Sequence, residues 1–155
     1  MGMLERLLYE DLLTWENTTR EYEDANVLLK VPNENSPSTL HAFNINVNEL
    51  YTKVIHDFAR ARRNKDAIQR LIKTVLEDYY KGSNEQARKA AGIQLARAFP
   101  TPENFPVQTV NLFDLEDAFN GIFYSLEATV KSLQAKADAK ITSNSLLNIE
   151  KNLVC

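Results

Sequence analysis

The sequence predicts an all-α fold, a single-domain helical bundle of about five helices with a long C-terminal spine helix. Three observations carry this. Glycine is scarce, at four residues in 155, and the five prolines cluster in two places, so the chain has few points at which a helix must stop. Apolar residues recur at helical spacing through most of its length. The clearest run sets Leu112, Leu115, Phe119, Ile122, Leu126, Val130, Leu133 and Ala137 at steps of 3, 4, 3, 4, 4, 3 and 4. That is the seam of a helix packing on other helices. As a helix, residues 111–140 would span roughly 45 Å at about 1.5 Å per residue, which makes this the spine.

The elements follow in chain order. Residues 3–31 read as a first helix on Leu4, Leu8, Leu12, Trp15, Tyr22 and Leu29, with acidic residues between them. Pro32 ends it, because proline lacks a backbone donor and restricts the residue before it. Residues 32–45 read as a loop. Asn46 with Glu49 has capping-box spacing and opens a second helix on Val47, Leu50, Tyr51, Val54 and Phe58. Asn64 is the expected cap of a third, on Ile68, Leu71, Ile72, Val75 and Tyr79, which Gly82 ends. No Gly or Pro separates the second and third, so one continuous helix is the alternative. Ser83 with Gln86 starts a fourth helix, running to Phe99, whose expected buried face is Ala87, Ala90, Ala91 and Ala98. Pro100, Pro102 and Pro106 give an extended linker over 100–110, and Asn111 with Asp114 begins the spine. Residues 141–155 form either a short helix on Leu146, Leu147 and Leu153 or a frayed tail.

At 155 residues the chain has room for one domain with a sizeable core, here taken as 1–155. No stretch approaches the roughly 20 apolar residues of a membrane span, and the N-terminal residues turn acidic too soon for a secretory signal. The lone cysteine, Cys155, allows no disulfide within the chain and no cysteine metal cluster. The expectation is a cytoplasmic protein.

The net charge of −3 conceals an asymmetry. Residues 1–45 hold three Lys and Arg against eight Asp and Glu, a net of −5. Residues 46–99 hold eleven against six, a net of +5, and residues 100–155 four against seven, a net of −3. On the second helix Lys53, His56, Arg60 and Arg63 lie opposite the apolar face, with Arg62 and Lys65 towards its C-terminal end, where cations complement the helix dipole. On the third, Arg70 and Lys73 lie away from the Ile and Leu stripe. Such a stripe has two readings. One is a solvated face that serves solubility or pairs with the acidic first helix. The other is a strip that neutralises phosphates, Arg by bidentate contact and Lys as a point charge. The candidate nucleic-acid-binding residues are therefore Lys53, Arg60, Arg62, Arg63, Lys65, Arg70 and Lys73. With no base-reading motif, such binding would be independent of sequence; Tyr51, Tyr79 and Tyr80 fit a core better than a stacking platform.

Residues for catalysis are missing from the pattern. A nucleophile needs a base beside it, and His41 and His56 are the only histidines. One lies in a Ser/Pro/Asn loop and the other on the basic stripe. No Glu-x-x-His, His-Glu-x-x-His or Cys-x-x-Cys occurs, so neither a helical di-metal site nor a zinc site is expected. Gly2, Gly82, Gly92 and Gly121 are too scattered for a phosphate-cradling loop. Glu77-Asp78 and Glu116-Asp117 are neighbours that diverge by about 100° on a helix. No enzyme, cofactor or metal is expected.

Size, helical class and a one-sided basic segment over roughly residues 46–140 resemble the small α-helical subunit of multi-subunit (class 1) CRISPR effector complexes. The resemblance is one of class, without a diagnostic motif. It implies a non-catalytic subunit of a nucleoprotein assembly that touches RNA or single-stranded DNA through basic helices, at the seven residues named above. The alternatives are a protein-binding adaptor or inhibitor of the phage or plasmid accessory type, using the acidic first helix, and a self-associating bundle using the spine seam. An enzyme assembled from scattered carboxylates ranks last.

Overall fold

Two long helices dominate the structure where the sequence predicts one. The computed structural model describes residues 2–33, 36–78 and 84–154, excluding the side chains of 140–154. Among the described residues there are five helices: α1 (Met3–Leu8), α2 (Leu12–Leu28), α3 (Pro37–Asp78), α4 (Glu85–Arg97) and α5 (Leu112–Val154). A two-residue antiparallel pair, β1 (Phe99–Pro100) with β2 (Thr109–Val110), joins α4 to α5. The fold is all-α, and α3 and α5 make the most long-range contacts.

α3 takes over most of the expected 32–45 loop and merges the second and third helices into 42 residues. Its start is set by Ser36, whose Oγ accepts from Thr39 N at 3.2 Å, and by Pro37 in the first helical position. Proline is favoured there because its missing donor is one the helix would leave unpaired anyway. Leu40 and Phe43, 1% and 5% exposed, then run at steps of three and four into Val47. Asn46 and Asn64 therefore cap nothing. Both lie inside a helix already nucleated upstream, and extending it costs less than starting afresh.

The expected first helix is broken instead, between Leu8 and Leu12. Asp11 caps α2: its carboxylate accepts from Thr14 N at 3.1 Å and Thr14 Oγ1 at 2.8 Å. These bonds hold the Asp11 carboxyl below the ordinary carboxylate range. α4 starts at Asn84, whose Oδ1 accepts from Ala87 N at 3.3 Å. Its buried positions are Gly92 and Ala96, while Ala87, Ala90, Ala91 and Ala98 are all exposed. The expected alanine face is thus turned outward, and the four-residue step from Gly92 to Ala96 marks the packed side. The 100–110 segment is a hairpin-like connection with a turn at Asn104 (φ 67°), a left-handed conformation that asparagine tolerates. α5 begins as expected, with Asn111 Oδ1 accepting from Phe113 N at 3.0 Å. Its helix continues through Val154, where a separate short helix or a tail was expected. The positions expected at Tyr79, Tyr80, Gly82 and Ser83, and the side chains of Leu146, Leu147 and Leu153, lie outside the described residues.

The chain forms two units, Met1–Trp15 with Arg60–Phe123, and Glu16–Ala59 with Tyr124–Cys155. The core of the first includes Leu7, Trp15, Ile68, Ile72, Ala96, Leu112, Leu115 and Phe119. The second buries Leu40, Phe43, Val47, Val54, Leu126, Val130 and Leu133. There Asn26 Nδ2 donates to Ser132 Oγ at 2.9 Å, and Lys136 Nζ donates to Asn26 O and to Asn26 Oδ1. Burial lowers the Lys136 pKa. Every seam residue from Leu112 to Leu133 is buried and Ala137 is half-buried, so the stripe is covered by the chain itself.

Candidate nucleic-acid interface

The elbow between α1 and α2 decides the fate of Arg60. With Asp11 turning the chain, the Glu10 carboxylate accepts from Trp15 Nε1 at 2.8 Å. It also takes a fork from Arg60 on α3, Nε to Oε1 at 3.1 Å and Nη2 to Oε2 at 2.8 Å. The guanidinium carbon lies 5.4 Å from the centre of the Trp15 ring. The Glu10 side chain is 9% exposed and that of Arg60 54%. Burial pushes the Glu10 pKa up, but the bonds from Trp15 and Arg60 and the Arg60 charge outweigh it, leaving the group below its ordinary value. Asn64, 4% exposed, faces the same region and helps lower that pKa, although its Nδ2 lacks a close hydrogen-bond partner.

The remaining candidates divide by their angle around α3. Arg62 and Lys65 lie over the buried Phe123 ring of α5, 5.8 Å and 4.8 Å from its centre. Arg63, Arg70 and Lys73 are exposed and, at steps of seven and three, share the side opposite Ala61, Ile68, Ile72 and Val75. Asp66 and Glu77 lie on the same side, and Lys73 Nζ is 3.9 Å from Glu77 Oε1. Asp66, Gln69, Arg70 and Lys73 line a shallow depression. Arg63 and Arg70 have no ion-pair partner among the described residues. Lys53 is exposed but belongs to the second unit.

The expected strip is thus three groups of side chains in the first unit, with Lys53 apart in the second. Pairing with the acidic first helix was one of the two readings of the stripe, and Arg60 with Glu10 is such a pair, but neither Glu10 nor Trp15 was singled out as its partner. The available signal was local: Asp11-x-x-Thr14 is a helix-cap spacing that places a break directly after Glu10. His41 and His56 are both exposed. No cluster of metal-ligating residues occurs among the described residues, and no helix there is long and apolar enough to cross a membrane. Comparison with known proteins returned no match: no protein-family model, no curated protein and no solved structure matches this chain.

Proposed function

We propose that the chain is a non-catalytic helical subunit of a larger nucleoprotein assembly. It touches an RNA or single-stranded DNA backbone, independently of sequence, through the outward side of α3 at Arg63, Arg70 and Lys73. The observation that carries this reading is that these three cations are exposed together on one helix side, with Arg63 and Arg70 unpaired among the described residues. The resemblance to small subunits of CRISPR effector complexes suggests the kind of assembly.

Three phosphate contacts on a single strand give a slope of log K against log salt of about −2. Anisotropy of a fluorescein-labelled oligothymidylate should show that slope. R63E/R70E/K73E should abolish binding while moving stability by no more than about 0.5 kcal/mol per substitution, as is usual for exposed positions. A protein that ignores the oligonucleotide at low salt, or a triple variant that binds as before, defeats the reading.

A protein-binding adaptor is the second reading, favoured by Val27 and Leu28 at the end of α2, which are 66% and 80% exposed. It calls for association with a partner chain that salt leaves unchanged.

A further inference from the structure

We propose that Glu10 acts as an internal stand-in for a phosphate, occupying the Arg60 fork and holding that cation off the nucleic-acid-binding side of α3. This rests on the reading just given and adds a regulatory contact to it.

The geometry is that of anion recognition. Two parallel N–H bonds at 2.8 and 3.1 Å run from one guanidinium to one carboxylate, the bidentate arrangement by which arginine also takes phosphate oxygens. Trp15 Nε1 also donates to Oε2, the oxygen that accepts from Arg60 Nη2, so Glu10 keeps an anchor when the arginine leaves. Arg60 is 54% exposed, so its head can exchange a carboxylate oxygen for a phosphate oxygen without unpacking the core. It lies three residues before Arg63, on the neighbouring flank of the same helix. An incoming backbone therefore competes with Glu10 for a cation already ordered against the Trp15 ring.

The test is Glu10→Gln, which leaves an oxygen acceptor for Trp15 while removing the charge that holds Arg60. With the same labelled oligothymidylate, the salt slope should steepen by about 0.7, one further phosphate on a single strand, and affinity at low salt should rise. Glu16→Gln, with the same charge change on an exposed position of α2, should leave the slope unchanged. The charge-conserving pair E10Q/R60Q should return the slope of the unmutated protein, which ties the gain to Arg60. R60Q alone serves if E10Q folds poorly: its slope should also match the unmutated protein. A slope lowered by about one contact in R60Q, or binding weakened in E10Q, overturns the proposal, because Glu10 would then be positioning an arginine already in use. An unmutated protein that binds, with E10Q unchanged, sinks this inference alone. If neither protein binds, the parent reading fails with it.

Discussion

Replacing Glu10 by Ala tests the physical core of the elbow, because the carboxylate holds two groups of very different exposure. Trp15 is 6% exposed, and Glu10→Ala removes the carboxylate that accepts from its Nε1–H. That costs about 1–3 kcal/mol. Arg60 is 54% exposed, so its ion pair with Glu10 is heavily screened and contributes about 0.2–1 kcal/mol. Together these give a loss near 2 kcal/mol, or roughly 4–8 °C in Tm at about 2–4 °C per kcal/mol for a chain of this size. Glu10→Gln retains an oxygen for Trp15 and should cost only the screened pair, about 0.2–1 kcal/mol. Trp15 is the sole tryptophan, so urea unfolding followed by its fluorescence reads the site itself. The two variants should differ by about 1 kcal/mol or more. Equal midpoints and slopes would refute the assignment of the carboxylate to Trp15. The folded pKa of Glu10 lies below its ordinary 4.5, so on acidification the unfolded chain takes up this proton first. Its contribution is complete above that value and disappears as pH falls through the folded one. The stability gap between the unmutated protein and E10Q should therefore close below pH 4.5.

Two further outcomes follow from the packing. Tyr22 Oη donates to Asp57 Oδ2 at 2.5 Å, and burial, helped by that bond and the Asp57 charge, pushes the phenol far above its ordinary 10.0. The contribution is full below pH 10.0 and lost as pH rises through the folded value; Tyr22→Phe should cost about 0.5–1.5 kcal/mol at neutral pH. In an absorbance titration of the folded proteins to about pH 11, that variant should show the same phenolate amplitude as the unmutated chain. On α4, Ala90→Glu should leave thermal stability within about 0.5 kcal/mol because the position is exposed. Ala96→Leu at a position with no exposed surface should cost about 1–3 kcal/mol by overpacking.

Features set by long periodic patterns were legible in the sequence, and those set by tertiary proximity were not. The α5 seam could be read because each position from Leu112 to Leu133 repeats the same constraint. The continuity of α3 was foreshadowed by the lack of Gly or Pro between its halves. Its true start was hidden because Ser36-Pro37 has two meanings: a turn signal in a loop, or a cap followed by a first-turn proline. Leu40, three residues before Phe43, decides for the second. Asn46 and Asn64 misled because a capping pattern has force only where a helix is not already running. The alanines of α4 misled because so small a side chain reports little about its environment. Glu10 and Arg60 are 50 residues apart, and no local pattern joins them.

The angular position of each cation relative to the apolar side of α3 explains why formal charge overstated the exposed basic side of that helix. Cations on the flanks reach back over the core edge, Arg60 to Glu10 and Trp15, Arg62 and Lys65 to Phe123. Those on the far side remain in solvent, and there Arg63, Arg70 and Lys73 share the surface with Asp66 and Glu77. A segment carrying +5 in its composition thus presents a side whose five charged groups sum to +1. If the proposed reading holds, three phosphate contacts against two local acids would place a lone chain at the weak end of non-specific affinities, near about 10⁻⁴ M at physiological salt. Weakness of that order serves little purpose in an isolated protein. In an assembly that holds the same nucleic acid elsewhere, each contact becomes intramolecular, and avidity can exceed single-site affinity by about 10²–10⁴. On the proposed reading, the charge pattern of α3 favours a subunit over an autonomous nucleic-acid-binding protein, with Arg60, held by Glu10, as one further cation kept in reserve.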